Sequence, residues 1–206
     1  HYFKTLRYAL YCMTHPLDGF WDLTHEKRGS MAAANTIFAL GLITRMAGLR
    51  YTSFLFQKVY WPVINMFLYC SSILFPLALW CLGNWGLTTL FDGKGRLKQV
   101  YMATCYAMAP YPLINIPLIF ISNLVTEDEG SFYAVLVTLA LVWAGALIIA
   151  AMMQIHEYSI SKTIFFTIAS IFAMLVITFI LMLFFTMISS GVAYFVSLVK
   201  EVMFRY

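Results

Sequence analysis

Residues 163–199 read TIFFTIASIFAMLVITFILMLFFTMISSGVAYFVSLV, a run without one charged side chain. A helix needs about 20 consecutive apolar residues to cross the hydrocarbon core of a bilayer. This stretch exceeds that, so it reads as a membrane span that emerges and ends in an amphipathic tail, Lys200-Glu201-Val202-Met203-Phe204-Arg205. The remainder of the chain has the same character. Of 206 residues, 62% are hydrophobic and 11% charged, and mean hydropathy is +0.82. A soluble domain spends about a quarter of its residues on charge. With so few charges the chain cannot cover a globular surface in water, and its solvent must be mostly lipid.

Four further uncharged runs precede this one. Gly130 to Ile155 is the fourth in chain order, and Gln99 to Thr126 is the third, interrupted by Pro110, Pro112 and Pro117. Proline removes a backbone donor and clashes with the preceding turn, so residues 108–118 are expected to be the most irregular intramembrane segment. Val59 to Phe91 is longer than one crossing needs and is expected to tilt or bend at Pro62 and Pro76. Gly29 to Thr44 offers roughly 24 Å of helix, enough to span if Arg45 snorkels. Residues 45–58 hold Arg45, Arg50 and Lys58 around Tyr51, Phe54, Leu55 and Phe56. They read as an interfacial stretch, with a bent continuation of the helix as the alternative.

Residues 1–28 differ from the rest of the chain. Phe3, Leu6, Leu10 and Met13 recur at helical spacing, with Lys4, Arg7 and Thr14 on another side. That pattern suits a helix in the membrane interface; a helix docked on the bundle is the equal alternative. Pro16 ends it, Asp18-Gly19 makes a turn, and Phe20-Trp21 suit headgroup level. Lys4 and Arg7 are not followed by a continuous apolar stretch, so no cleavable leader is expected. The expected fold is all-α and integral to the membrane, a bundle of five transmembrane helices behind an N-terminal interfacial amphipathic helix. The segment 1–28 precedes a transmembrane domain over 29–206, with spans near 29–46, 60–90, 99–125, 131–155 and 163–190.

Five spans put the termini on opposite sides. An inside N-terminus places Lys4, Arg7, Lys27, Arg28, Lys94, Arg96, Lys98 and Lys162 in the cytoplasm, against Arg45, Arg50, Lys58, Lys200 and Arg205 outside. The excess of cations favours that orientation. Glu127-Asp128-Glu129, with no cation, fits an outside turn. The net charge of +4 is spread over loops and points to topology, with no nucleic-acid partner.

No catalytic constellation is legible. The loop Leu90-Phe91-Asp92-Gly93-Lys94-Gly95-Arg96 has glycines flanking a lysine, but a P-loop needs GxxxxGK[ST] between strand and helix. A tight turn presenting Asp92, Lys94 and Arg96 to headgroups or a partner is expected. His156-Glu157-Tyr158-Ser159 lacks the second histidine of HExxH, so His156 and Tyr158 read as loop residues hydrogen-bonded at the interface or touching a partner. His15 and His25 can meet His156 only on the cytoplasmic side. No GxSxG elbow occurs. Cys12, Cys70, Cys81 and Cys105 form no CxxC pair and read as free thiols. No metal or cofactor is expected. Asn35, Asn65, Asn84, Asn115, Asn123 and Gln154 lie in apolar runs, where amides bond across helices or line a pathway. Asn84, Pro110, Asn115, Pro117 and Asn123 are the intramembrane positions of interest.

The chain resembles the Yip-domain membrane family, named for Ypt-interacting proteins, in its bacterial branch. The likeness runs from His15-Pro16-Leu17-Asp18-Gly19-Phe20 through Asn84-Trp85 and Thr88-Thr89-Leu90-Phe91-Asp92-Gly93-Lys94-Gly95. It continues in Tyr106 with Pro110, Ser122-Asn123, Glu127 with Glu129, His156-Glu157-Tyr158-Ser159, and Glu201 with Phe204-Arg205. It implies a five-helix bundle with a cytoplasmic N-terminus. Eukaryotic relatives serve vesicle traffic and bind Rab-type GTPases through a region with a DLYGP-like motif, which is missing here, so that role is not carried over. Bacterial relatives look like accessory membrane subunits, often beside carbohydrate ABC importers.

Three functions compete on these grounds. The first is a non-enzymatic accessory or scaffold subunit of a larger membrane complex, in contact with lipids and with other integral subunits such as ABC importer permeases. The second is a stand-alone transporter or channel with a pathway at the proline-broken third span. The third is a lipid-modifying enzyme using His156, Asp92 and Lys94.

Overall fold

The computed structural model describes residues 2–56, 64–126 and 129–205 and is all-helical over them. In chain order the helices are α1 (Tyr2–Thr14), α2 (Pro16–His25), α3 (Met31–Tyr51), α4 (Met66–Leu90), α5 (Leu97–Ala107), α6 (Pro110–Ile121), α7 (Gly130–His156) and α8 (Ile160–Arg205). Five stretches are long and apolar enough to cross a membrane: α3, α4, α5 with α6, α7 and α8. They alternate in direction. One end of the bundle therefore gathers α1, α2, the α4–α5 loop and the α7–α8 turn, and the other gathers the ends of α3 and α6 with the start of α7.

The packing is inverted relative to a soluble protein. Ala33, Ala34, Ala103, Ala107, Ala140, Ala144 and Ala151 are buried, whereas large residues such as Phe132, Leu141, Phe165 and Phe172 face outward. Lipid is as apolar as leucine, so helix association in it relies on close backbone approach, which small residues permit. α4 packs chiefly on α8, α6 on α7, and α2 and α5 on α7.

Local chemistry sets the helix starts. Ser30 Oγ accepts from the Ala33 N–H at 3.4 Å to open α3, and Asn65 Oδ1 accepts from Phe67 and Leu68 N–H at 3.0 and 3.3 Å to open α4. Such caps satisfy donors that the first turn leaves without partners.

Several expectations change. α3 continues to Tyr51, as the alternative of a continued helix has it, so Arg45 and Arg50 stand on a candidate spanning helix and the turn begins only near Ser53. Lys58 and Pro62, with the expected start of the second span at 60, lie outside the described residues. Pro76, where a tilt or bend is expected, sits inside α4 without ending it. The third span breaks only at Met108–Ala109. Pro110 and Pro112 fall in the first turn of α6, where a missing N–H costs nothing, and only Pro117 is truly interior. α8 is one helix of 46 residues through the expected amphipathic tail.

α1 and α2 are docked on the bundle. Cys12, Phe20 and Leu23 are fully buried, and Tyr106 Oη donates to the Thr5 carbonyl at 3.0 Å while accepting from Ser30 N–H at 3.3 Å. The docked face is Thr5, Ala9, Cys12 and Met13, with Leu6 half-buried against it, so of the expected Phe3–Leu6–Leu10–Met13 stripe only Phe3 and Leu10 stay outside. Phe3 and Leu10 point outward, an apolar face available to the membrane interface. The smaller residues turn inward because α1 and α2 pass closely: a Cβ on Gly19 would stand 2.9 Å from Cys12 Cα. Burial pushes the Cys12 thiol up to about 12, consistent with an inert thiol. Cys70, Cys81 and Cys105 are free as well.

Candidate functional site

The densest polar arrangement lies at the end of the bundle that carries α1 and α2. α7 stops at His156 because Glu157 adopts the left-handed conformation, with φ of 54°, and turns the chain into α8. His156 is the last residue of the helix and 2% exposed, buried in the bundle and not in the expected loop. Its Nε2 lies 3.0 Å from Asn84 Oδ1, and its Nδ1 accepts the Gly95 N–H at 3.3 Å. Gly95 N–H can only donate, so Nδ1 is the unprotonated nitrogen and Nε2–H donates to Asn84. Asn84 Nδ2 then donates to Ser170 Oγ at 3.1 Å, and Ser170 Oγ donates to the Phe166 carbonyl at 2.7 Å. One directed chain of hydrogen bonds thus joins the α4–α5 loop, α7, α4 and α8. It requires neutral His156, because a second ring proton would confront the Gly95 N–H.

The glycines of the loop serve this contact. Neither has positive φ. A Cβ on Gly93 would stand 2.8 Å from the Thr88 carbonyl oxygen and 2.9 Å from His156 Nδ1, and one on Gly95 would overlap Ile155 and the His156 ring. Only a bare backbone approaches the imidazole this closely. Thr88 O, itself buried, accepts from Gly93 N–H at 2.8 Å and Phe91 N–H at 3.1 Å. Asp92 takes the strained position between them, with φ of 60°.

Tyr158 closes the site from the other side. Its hydroxyl donates to the Phe91 carbonyl at 2.8 Å, and its ring stacks with His156 and meets Phe166, with centroids 5.5 and 5.2 Å apart. Lys162 Nζ sits 4.1 Å from the Tyr158 ring centroid. Burial, with Asp92 nearby, raises the Tyr158 pKa above the usual phenol value.

Around this buried centre runs an exposed ionic rim. Lys94 pairs with Glu157, and His25 of α2 approaches the other Glu157 oxygen at 3.5 Å. The Arg96 N–H donates to Gln99 Oε1 at 2.9 Å to start α5, leaving its side chain exposed beside Lys98. Lys94 as a hydrogen-bond donor, and His25 less strongly, hold the Glu157 carboxyl below its ordinary value of 4.5. A carboxylate with a depressed folded value stabilises the fold above about pH 4.5 and loses that contribution as pH falls through the folded value. Glu157→Gln should therefore make the acid-side fall in Tm shallower below about pH 4.5. It should change Tm little at pH 7, because the pair is exposed and screened. Thermal scans from pH 7 down to about 3 check this; an unaltered acid slope would contradict it.

Of the sequence candidates, Asn84, Asp92, Lys94, Arg96, His156 and Tyr158 gather at this end. Asn123 lies at the other end, where its Nδ2 donates to the Tyr51 and Ile119 carbonyls at 2.8 and 2.9 Å. There Ser122 Oγ accepts from Ser53 N–H at 3.1 Å, tying the ends of α3 and α6. Asn115 bonds within α6, Nδ2 to the Tyr111 carbonyl at 2.9 Å, and lines a cavity with Arg45. Pro110 is buried at the break between α5 and α6, and Pro117 is exposed. His25 reaches Glu157 instead of His156, and His15 stacks on Tyr11. The structure adds Thr88, Gly93, Gly95 and Ser170. The loop glycines were visible in sequence, whereas nothing about a serine in an apolar run marked Ser170. Among the described residues no group of three His, Cys, Asp or Glu side chains is placed to hold a metal ion.

Residues 10–183 match the family model described as the Yip1 domain. No curated protein and no solved structure matches the chain.

Proposed function

The chain belongs to the Yip1 domain family, and from that premise we propose that it is a non-enzymatic accessory or scaffold subunit of a larger membrane complex. The observation that carries this reading is the C-terminal half of α8. Every residue from Met182 to Phe204 is exposed, most of them large and apolar, and no described element packs over them. A helix of 46 residues extends about 69 Å, more than twice the hydrocarbon core. Tilt absorbs part of that excess. The remainder is an apolar rod suited to the spanning helices of another subunit. At the opposite end of the bundle, the hydrogen-bonded centre at His156 fixes a basic rim of Lys94, Arg96 and Lys98, fit for headgroups or a partner's acidic loop.

In this reading the face carrying α1 and α2 is cytoplasmic, as the cation excess and family kinship favour, and the membrane is a bacterial cytoplasmic membrane. Permeases of a carbohydrate ABC importer are the partners that kinship suggests. Pull-down of the tagged chain from native membranes in mild detergent tests the reading. Stoichiometric recovery of transporter subunits, lost when the chain is truncated after Leu181, is the expected result. Recovery of the chain alone under several gentle conditions would overturn it.

A further inference from the structure

Arg45 stands on α3 in the other half of the bundle, six residues before its end. A cation on a spanning helix is costly and needs a partner. Among the described residues Arg45 forms no salt bridge; the groups that act on its charge are the phenols of Tyr69 and Tyr111. Those groups are neutral and leave the charge uncompensated.

Arg45 and Tyr111 are shared by two adjoining cavities of different character. One, about 370 Å³, is half polar and is lined by Thr52, Asn115, Tyr133 and Thr138 besides the shared pair. The other, about 280 Å³, is apolar and is lined by Phe38, Gly41, Leu42, Ile73 and Leu141. A guanidinium only donates hydrogen bonds, so toward Arg45 the Tyr111 hydroxyl can only accept, which leaves its own proton for a further acceptor. Tyr133 lines the same cavity. A cation, two phenols and, among the described residues, no carboxylate in the lining of either cavity describe a site for an oxyanion. An apolar slot opening beside it describes room for a chain attached to that oxyanion.

We propose that Arg45, Tyr111 and Tyr133 bind the phosphate group of an anionic membrane lipid whose acyl chain occupies the slot beside Gly41. The phosphate chemistry is shared with free inorganic phosphate, and the slot is what selects the lipid-borne form.

The test is native mass spectrometry of the detergent-solubilised protein titrated with phosphatidylglycerol, phosphatidylcholine of equal chain length, or inorganic phosphate. Phosphatidylglycerol should be retained preferentially, and Arg45→Gln should weaken that retention about fivefold, the scale of one basic side chain meeting an anionic headgroup. Arg45→Lys should keep most of it. Gly41→Leu provides the second arm. A Cβ on Gly41 meets nothing within 4 Å, so the larger side chain starts in open space at the wall of the slot. It should reduce lipid retention while Tm is maintained, which separates occupancy from misfolding. Equal retention of both lipids, unaffected by Arg45→Gln, would overturn the site. Inorganic phosphate binding that survives Gly41→Leu, without lipid preference, would overturn the lipid assignment.

Discussion

His156→Ala should destabilise the bundle by about 3 kcal/mol, the sum of one or two orphaned buried groups and the cavity left by the ring. For a chain of this size that is a fall in Tm of about 9 °C. The removed imidazole leaves Asn84 Oδ1 and the Gly95 N–H without partners at buried positions. Water is excluded there, so each unpaired group carries its full desolvation penalty. In lipid-embedded proteins single interhelical hydrogen bonds are weak, and the large effect arises because two are lost together with packed volume. Asn84→Ala breaks the same chain one link further on, at Ser170. The two substitutions should therefore be non-additive, with the double variant about as unstable as the worse single one. Thermal unfolding of the four proteins in one detergent checks this; simple additivity would mean that the links act independently. The same substitutions should loosen residues 91–96, readable as faster proteolysis at Lys94 and Arg96.

Phe20→Ala is the second large effect, also about 3 kcal/mol, because a fully buried aromatic is replaced by a cavity at the seam between α2 and the bundle. Phe20 shares one continuous core with Cys12, Leu23, Val100, Met102 and Ile155. A helix merely adsorbed to the bilayer surface would lose only some lipid affinity on this change, with the Tm of the bundle intact. A substantial fall in Tm, with new cleavage within residues 1–28, is the outcome that docking requires. Trp21→Ala is the matched control: Trp21 is largely exposed and stacked only on His25, so its removal should cost far less.

Parts of the site were legible in sequence and parts were not, for identifiable reasons. The Asp92–Arg96 loop and His156–Tyr158 stand out because polar residues are rare in this chain, and both ends of each lie beside apolar runs. Their union was not legible. His156 meets Asn84 across 72 positions and Asn84 meets Ser170 across 86. The loop glycines suggested a tight turn, whereas their use is the clearance of the imidazole against Thr88 and Ile155. His156 read as a loop residue because hydropathy ends at Ile155, yet one more helical residue carries it inward.

The sequence by itself determined the solvent, the all-helical class and the five spans. These come from local sums, the length of uncharged runs against bilayer thickness and the obligation to satisfy every backbone group within a segment. The tertiary structure alone decided which side of each helix faces its neighbours. A helix that is apolar all round has no stripe to fix its rotation, so small residues and rare polar groups set it through contacts distant in sequence. Hence α1 buries Thr5, Ala9, Cys12 and Met13 while Phe3 and Leu10 stay outside, and Arg45 lines two cavities within the bundle.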